Sequence, residues 1–388
     1  MELTGGSKAQ QARPCPCVGI EIPFRTLPQA RPDITPTREE DRMPSTVSPP
    51  QARPSEAPDV STAAGLLRFG NLFCDAKILL TAVELGLFTQ LHTGPASESE
   101  IRQRLGLNGR GLADFLQALV SIGVLVEHDG TYRNAFGAEH HLVAGKPGYI
   151  GGFLIGANFS LYPAYGSLAE ALRTGAKQTA GEFSDLLGNP GALAQFAQMM
   201  DGLNEALAPE LAARFDWTNR RTVLDVGGCR GNLLGHVLQA HAWLTGHVFD
   251  LPAMAPLFAE HMAARGLSDR ATFHGGDFFA DPLPEAEVMI CGHVLSDWSP
   301  EQRVTLLRKA FESLAPGGAL LVYDRMLHSG GDNRENLVAS LNMLLVTDGG
   351  GEYTVAQLAG EAAEAGFATV TDQPLGAFDT LVTCTKNR

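Results

Sequence analysis

The residues best suited to chemistry in this sequence lie in one glycine-rich segment, Asp225–Leu233. It follows the apolar run Thr222–Leu224 and precedes a helical pattern from Leu234 to His241. A strand that ends in glycines and passes directly into a helix leaves backbone N–H groups open to a ligand. The spacing G-G-x-x-G differs from the dinucleotide fingerprint, so alone it is weak evidence. The candidate binding residues of this segment are Asp225, Gly227, Gly228 and Gly231.

Two further acids follow the next two strand-like runs. Asp250, with Leu251 after it, ends the run Gly246–Phe249, and an acid in that place can accept hydrogen bonds from ribose hydroxyls. Asp277 follows the run Ala271–Phe273 and stands beside Phe278, which suits an exocyclic amine and the face of a purine. Three acids at successive strand ends indicate a nucleoside cofactor across a parallel sheet.

The elements that must position these acids fall in the last 170 residues or so, where strand-like and helical runs alternate. This alternation predicts a doubly wound α/β domain. The strand-like runs are Thr222–Val226, His247–Phe249, Ala271–Phe273, Val288–Cys291, Ala319–Tyr323 and Leu381–Cys384. Upstream, Gly148 to Arg173 and Glu182 to Phe215 have helical patterns.

The region before them has the pattern of a winged helix. We predict a helical pattern over Gly65–Leu91 that Gly86 breaks, and a capping box at Ser97 and Glu100. A helix over Leu107–Ile122 and a hairpin turning at Asp129-Gly130 follow. The would-be recognition helix lacks a basic face, so a structural or dimerising module is favoured over a DNA reader. The apolar character of Gly65–Leu91 suits burial against a partner subunit.

Composition separates the first 58 residues from the rest of this 388-residue chain. They hold 11 of the 23 prolines and balanced charges, which predicts a disordered tail. We therefore divide the chain into a tail (1–58), a winged-helix domain (59–180) and an α/β domain (181–388). The net charge of −14 disfavours nucleic-acid and anionic-membrane partners, and scattered cysteines favour a cytoplasmic setting without a metal site.

The chain resembles the small-molecule O-methyltransferases that use S-adenosylmethionine. Five segments carry the resemblance, in order: Leu224–Gly228, Phe249–Pro252, Gly276–Phe279, Val294–Trp298 and Leu314–Ala319. It implies a homodimer formed through a winged-helix domain, followed by a Rossmann-like catalytic domain. It also implies that the segment from Asp225 holds the methionine end of the cofactor, Asp250 the ribose, and Asp277 with Phe278 the adenine. Asn204, Leu251 and Gly292 complete the implied cofactor set.

The chain departs from the family at Ser296. Hydroxyl-methylating members usually have His-Asp-Trp where this chain has Ser296-Asp297-Trp298, and that histidine is the general base. A lone serine hydroxyl cannot accept a phenolic proton unless another group activates it. Asp324 and Glu352 stand at the two family positions that flank the missing histidine, and either can serve as base if burial raises its pKa. His293 is a third candidate.

Three hypotheses follow from Ser296. The first is O-methylation in which proximity to the cofactor does most of the work. The second is methylation at carbon or nitrogen of an electron-rich aromatic ring, where a strong base is not required. The third is a fold relative that catalyses a non-methylating rearrangement or only binds its ligand. Family weight places O-methylation first and carbon or nitrogen methylation second.

The acceptor is expected to be a small aromatic molecule bound between the two domains. Aromatic side chains of the predicted helix from Gly148, together with a later helical run, can form the walls of such a pocket. The candidate substrate residues are Phe153, Phe159, Tyr162, Tyr165, Met200, Asn342, Met343 and Val346.

Overall fold

The computed structural model describes residues 59–146, 148–179, 187–328, 330 and 333–388. The predicted disordered tail and the predicted domain boundary between residues 180 and 181 lie outside these residues. Both therefore stay predictions. Across the described ranges, no helix is long and apolar enough to cross a membrane, and no group of three or more His, Cys, Asp or Glu could hold a metal ion.

The first part of the described chain is a small helical domain with a three-stranded sheet. Its elements are α1 (Ala63–Gly70), α2 (Leu72–Glu84), α3 (Leu87–Leu91), β1 (Ala96–Ser97), α4 (Glu98–Leu105), α5 (Leu112–Ile122), β2 (Leu125–His128), β3 (Thr131–Asn134) and α6 (Phe136–His141). The strands pair in the order β1-β3-β2. The hairpin of β2 and β3, which forms most of this sheet, was predicted.

Local signals in this domain decide where its elements begin and turn. The predicted capping box is present, because the Ser97 side chain accepts from the Glu100 N–H and the Glu100 carboxylate accepts from the Ser97 N–H. The hairpin turns through Asp129 and Gly130, with φ of 49° and 75°, as a two-residue turn requires. Both predictions are confirmed.

The helical pattern predicted over Gly65–Leu91 forms three helices. The predicted break at Gly86 is confirmed, since no continuous helix allows its φ of 70°, and the further break at Asn71 was not predicted. The helix predicted from Leu107 begins only at Leu112, because Gly111 before it has a φ of 90°.

Three helices and then two more connect this domain to the sheet. They are α7 (Gly151–Phe159), α8 (Leu161–Tyr165), α9 (Leu168–Thr174), α10 (Pro190–Asn204) and α11 (Leu207–Arg214). The single helices predicted over Gly148–Arg173 and Glu182–Phe215 are therefore interrupted, at Ser160, Gly166 and Glu205; residues 182–186 lie outside the described part. Helix α10 begins at the predicted Asn189-Pro190 signal, and the Asn189 side chain caps it.

The remaining residues form the predicted α/β domain around a seven-stranded sheet. Its elements are β4 (Thr222–Val226), α12 (Asn232–Ala240), β5 (Thr245–Asp250), α13 (Ala255–Ala264), β6 (Ala271–Gly275), β7 (Ala286–Gly292), α14 (Pro300–Ser313), β8 (Leu314–Asp324), α15 (Arg334–Val346), α16 (Val355–Ala365), β9 (Thr369–Leu375) and β10 (Asp379–Thr385).

The strand order is β6-β5-β4-β7-β8-β10-β9, and β10 alone runs antiparallel to β8 and β9 in this sheet. The first five strands in that order are parallel, so their carboxyl ends meet at one edge. The chain order reverses between β4 and β7, and ligands bind at such a switch point. Strand β9 was not predicted.

Both faces of this sheet are covered. Along β4, Leu224 packs into one hydrophobic cluster with Met289 and Leu320, whereas Val223 packs into another with Val288 and Leu321. Successive side chains of a strand point to opposite faces, so this alternation buries both of them. The rigid sheet fixes the positions of the residues at its carboxyl edge.

Candidate active site

The glycine-rich segment forms a tight loop between β4 and α12. Gly227, Cys229 and Gly231 have φ of 72°, 52° and 79°, so the loop alternates between left-handed and right-handed backbone. Such alternation turns successive N–H groups toward one side and forms a concave binding surface. The Gly227 N–H is fixed by the Phe249 carbonyl at 2.8 Å, which anchors the loop to β5.

Asp225 lies beneath this loop and is 3% exposed. Its Oδ2 has no hydrogen-bond partner among the described residues. Burial, together with a smaller effect of the nearby Asp250 carboxyl, raises the pKa of this carboxyl to about 8. A buried acid without a partner at the end of a parallel strand is a group that a bound ligand can satisfy.

Gly228 fits closely over Asp225. A methyl group added at Gly228 would lie 2.6 Å from the Asp225 Oδ2. The loop therefore needs a residue without a side chain here so that backbone and ligand can approach the carboxyl. Gly227 is similar, since an added methyl would lie 2.7 Å from a Val294 methyl carbon.

Asp250 ends β5 beside the same loop. Its Oδ2 accepts from the Cys229 N–H at 2.7 Å, and its Oδ1 accepts from the Leu251 N–H at 2.6 Å. These two bonds hold the carboxylate in one orientation and leave lone pairs on both oxygens. Asp250 can therefore accept hydrogen bonds from two neighbouring hydroxyls, and its assignment to a ribose stays a prediction.

Asp277 lies two residues beyond the end of β6, not at the strand end itself, and it is exposed. It accepts from the Phe279 N–H at 2.8 Å. Phe278 and Phe279 stack edge to face with Trp298, at ring-centroid distances of 5.8 and 4.7 Å. The aromatic group joins the end of β6 to the segment that contains Ser296.

Helix α10 crosses the carboxyl edge and is fixed at two points. Arg230 of the glycine-rich loop binds the Asp201 carboxylate, with Nε at 2.7 Å from Oδ2. The hydroxyl of Tyr323, at the end of β8, donates to the Asn204 Oδ1 at 2.6 Å. Asn204 is therefore held over the site, and it is a half-buried residue, not a plain surface one.

Ser296 is buried and bonded to an acid. Its hydroxyl donates to the Asp324 Oδ1 at 3.2 Å, and the Tyr353 hydroxyl donates to the other oxygen of the same carboxyl. Asp324 is completely buried, and burial raises the pKa of its carboxyl well above the usual range although both hydrogen bonds oppose the rise. Burial raises the pKa of Asp297 as well, to about 7.

Glu352 is brought to the same place by the glycines before it. The Gly351 N–H donates to the Ser296 carbonyl at 2.8 Å, and a methyl group at Gly350 would lie 2.5 Å from that carbonyl oxygen. The Oε2 of Glu352 has no hydrogen-bond partner among the described residues. Burial is the main cause that raises the pKa of Glu352 to about 9. The charges of Asp324 and Asp379 contribute to this rise, and the charge of Arg325 opposes it.

His293 follows β7 with a φ of 52°, a costly conformation for a residue with a side chain. Its Nε2 lies 3.2 Å from the Asp379 Oδ1, and its Nδ1 lies 4.0 Å from the Asp324 Oδ1. Burial lowers the pKa of His293 to about 4, so the ring is neutral at physiological pH. Gly292 before it leaves room for the Tyr323 ring.

Of the candidate substrate residues, the structure joins Tyr165 to Asn342, and all but Phe159 are half-buried. The Tyr165 hydroxyl donates to the Asn342 Oδ1 at 2.9 Å, which joins α8 to α15. Phe159 is 53% exposed and does not line an enclosed wall of a single chain. The half-buried candidates are Phe153, Tyr162, Tyr165, Met200, Asn342, Met343 and Val346.

Several residues of this site were not predicted from the sequence. Tyr353 and Tyr323 were missed because each acts through a hydroxyl whose partner is far away in sequence. Asp379 was missed because it opens the last strand, which carries no motif. Arg230 lies inside the glycine-rich segment Asp225–Leu233, and its charge next to glycines could have indicated a role in the site.

Comparison with known proteins agrees with this architecture. Residues 165–368 match the O-methyltransferase domain, more than half of the chain, and residues 67–143 match the O-methyltransferase dimerisation domain. The chain therefore belongs to the O-methyltransferase family. It is an S-adenosylmethionine-dependent methyltransferase, and the predicted family, fold class and cofactor are confirmed.

Two curated relatives and one solved structure illustrate the likeness. The tetracenomycin polyketide synthesis 8-O-methyl transferase TcmO of Streptomyces glaucescens is 43% identical over 83% of this chain and 96% of its own length. The N,N-dimethyltransferase OxyT of Streptomyces rimosus is 38% identical over 79% of this chain and 91% of its own. Human N-acetylserotonin methyltransferase in complex with S-adenosylmethionine superposes with a TM-score of 0.78 at 27% identity, covering 84% of this chain and 98% of that one.

Proposed function

We propose that this enzyme transfers the methyl group of S-adenosylmethionine to a hydroxyl oxygen of a polycyclic aromatic molecule of the polyketide type. The observation that carries this proposal is the group of buried acids around Ser296, next to the glycine-rich loop. Methylation of a hydroxyl releases a proton, and a buried carboxylate with a raised pKa can accept it. The likeness to a polyketide 8-O-methyl transferase supports the choice of acceptor.

The residues at the sheet edge fit the cofactor, which supplies a methyl group on a positively charged sulfur. The orphaned Oδ2 of Asp225 offers an acceptor for the ammonium of the methionine end, over a loop that excludes side chains. Asp250, with its two fixed oxygens, takes the ribose hydroxyls. The residues assigned to the cofactor are Asp225, Gly227, Gly228, Gly231, Asp250, Leu251, Asp277, Phe278, Gly292 and Asn204.

In other members of the family one histidine acts as general base, and here several residues around Ser296 take that role. Asp324 and Glu352 are assigned to proton transfer, and Ser296 orients Asp324 through its hydroxyl. Asp297 and His293 complete the polar wall beside them. The aromatic acceptor is assigned to the half-buried residues between α7, α8 and α15, where flat rings can stack.

The test measures turnover and product together. Purified enzyme with S-adenosylmethionine is offered 1,8-dihydroxyanthraquinone and 3-hydroxy-1-naphthoic acid, and S-adenosylhomocysteine release is followed by mass spectrometry. We expect release with at least one phenol and a methoxy signal in the NMR spectrum of the product. Cofactor binding without turnover on any polycyclic phenol would reject the proposed acceptor class.

Methylation at nitrogen is the second candidate, because a relative with 38% identity is named as an N,N-dimethyltransferase and because Ser296 replaces the usual base. A neutral amine attacks the methyl group before it loses its proton, so a strong base is not needed. An aminoanthraquinone in the same assay separates the two candidates. An N-methyl product together with inert phenols would favour the second.

The proposal includes a cytoplasmic homodimer. Helices α1 and α2 expose apolar side chains although they belong to the region that matches a dimerisation domain; examples are Leu66 at 56%, Leu67 at 71% and Phe73 at 58% exposure. Such a patch is typical of a protein interface. The four cysteines within the described ranges are unpaired, which is in keeping with a reducing compartment.

A further inference from the structure

We propose that the positive charge of the bound cofactor removes a proton from the buried acids around Ser296, that Glu352 is the group that loses it, and that the resulting carboxylate replaces the missing histidine. This inference rests on the established cofactor, and its catalytic part rests on the proposed O-methylation. The two parts are tested separately below.

The first ground is the arrangement of charge around Glu352. Acids from several separate elements lie close together, since the His293 ring is 3.2 Å from Asp379 and 4.0 Å from Asp324. Among the described residues, the charges of Asp324, Asp379 and Asp297 act on Glu352, and that of Arg325 opposes them. The charged and titratable groups that face the Glu352 carboxyl are Asp297 from the turn after β7, Asp324 and Arg325 from the end of β8, Tyr353 from the following residue and Asp379 from β10. So many acids cannot all be ionised together, and some of them must hold protons.

The second ground is the set of buried polar atoms that lack partners. Within the described residues, the Oε2 of Glu352 makes no hydrogen bond, and the Oδ1 of the buried Asp379 makes none either, although the His293 Nε2 lies 3.2 Å away. Both oxygens of Asp324, in contrast, accept from hydroxyl groups. Glu352 therefore has an oxygen with no competing donor, whereas each oxygen of Asp324 already accepts one hydrogen bond.

The third ground connects these acids to the cofactor loop. Cys291 occupies the penultimate position of β7, the strand between β4 and β8, and the charges of Asp324, Asp225 and Asp297 all act on its buried thiol. Strands β4, β7 and β8 are neighbours in the sheet, so Asp225 under the glycine-rich loop and Asp324 are two strands apart. A charge placed at the loop is therefore felt by the acids.

Physical chemistry gives the direction of the effect. A positive charge favours the ionised form of a nearby carboxyl and lowers its pKa. At an effective dielectric constant of about 20, a unit charge about 10 Å away lowers the pKa by about 1. Glu352, whose pKa lies near 9 in the unliganded protein, then releases part of a proton to solvent near pH 8.

The proton balance over one turnover is closed. In each enzyme molecule in which Glu352 ionises on binding of the charged cofactor, it gives one proton to solvent. As the acceptor oxygen takes the methyl group, its O–H bond breaks and that proton passes to the Glu352 carboxylate. The spent cofactor is neutral, so nothing drives Glu352 to ionise again until the next charged cofactor binds.

The experiment measures proton release without any acceptor. S-adenosylmethionine is titrated into the full-length enzyme by calorimetry at pH 8 in phosphate and in Tris, whose ionisation enthalpies differ. We compare wild type with Glu352→Gln, and use Glu260→Gln, an exposed residue of α13, as the matched control. Subtracting the variant removes protons that come from the ligand's own amino group.

The expected difference between wild type and Glu352→Gln is about 0.4 to 1 proton for each cofactor bound at pH 8. The difference should shrink at pH 6, where the acids stay protonated, and at pH 10, where they are already ionised. It should be near zero with S-adenosylhomocysteine at every pH. The control should behave as wild type.

Equal proton release in wild type and Glu352→Gln, with cofactor bound in both, would overturn the inference. If Glu352→Gln does not fold, infrared difference spectra of the wild type decide, since loss of a protonated carboxyl band on cofactor binding is required. Confirmed phenol methylation without this proton release would refute the inference alone. Proton release without phenol methylation would refute the proposed acceptor chemistry and leave the charge coupling intact.

Discussion

The close fit of Gly228 over Asp225 gives a sharp test of the cofactor loop. In Gly228→Ala the new methyl carbon would lie 2.6 Å from both Cγ and Oδ2 of Asp225 and 3.0 Å from its Cβ. Carbon and oxygen normally come no closer than about 3.4 Å in such contacts, so the carboxyl must move. Gly228 does not have a positive φ, so backbone strain does not contribute.

The magnitude follows from the cost of overpacking a buried site. Inserting a methyl group into a filled space costs about 1–3 kcal/mol. When this cost falls on the Asp225 carboxyl, it corresponds to a loss of about 5- to 150-fold in cofactor affinity. Calorimetric titration with S-adenosylhomocysteine measures this directly.

A matched control and a double variant make the test specific. Gly360→Ala, in the exposed part of α16, meets no atom within 4 Å and should keep wild-type affinity. It should also stabilise the helix by about 0.5–1 kcal/mol. In an Asp225→Ala background, Gly228→Ala should cost much less, because the Cγ and Oδ2 that it would meet at 2.6 Å are gone and only the Cβ at 3.0 Å remains. Affinity of Gly228→Ala within twofold of wild type would refute the reasoning.

Three further predictions follow from the same structure. Asp250→Asn should weaken cofactor binding about tenfold or more, because one of its two charged acceptor oxygens becomes an NH₂ donor; calorimetry measures the affinity, and an unchanged value would contradict the ribose assignment. The unliganded enzyme should lose thermal stability as pH rises from 5 to 8, because folding raises the pKa of Asp225 to about 8 and the folded state keeps a proton that the unfolded chain releases. The free energy of unfolding should fall by up to about 1.4 kcal/mol for each pH unit and each retained proton. Scanning calorimetry in the absence of cofactor checks the sign. Leu67→Glu should turn the homodimer into monomers in light scattering, with Glu98→Gln on the same domain as control, and a dimer that persists would exclude this face.

Much of the fold could be predicted because its signals are local. The capping box at Ser97, the Asp129-Gly130 turn and the glycine-rich loop each depend on a few neighbouring residues. Helix ends were less accurate, because a single left-handed residue such as Gly111 interrupts a pattern that apolar spacing alone continues. Strand β9 was missed because it is an edge strand, contains Pro374 and is exposed at most positions, so it lacks the apolar signature of a buried strand.

The positions of Asp225 and Asp250 could be predicted because each lies at the carboxyl end of a parallel strand. Such strand ends meet at one edge of the sheet. The surroundings of Ser296 could not be predicted, because they depend on pairing between distant segments. Asp379 reaches His293 only because β10 inserts next to β8, and Tyr353 reaches Asp324 because the Leu327 N–H bonds to the Tyr353 carbonyl.

Helix α10 connects helix α7, which is assigned to the acceptor, with the cofactor loop. A methyl group at Gly152 of α7 would lie 2.6 Å from the Gln198 carbonyl oxygen, so the two helices touch through their backbones. The same helix ends in bonds to Arg230 in the loop and to Tyr323 at the end of β8. Close-packed helices transmit displacement, so we expect α7, α10 and the glycine-rich loop to shift together. If the acceptor binds between these helices, as proposed, it should change the affinity for S-adenosylhomocysteine, and an affinity that the acceptor leaves unchanged would contradict this coupling.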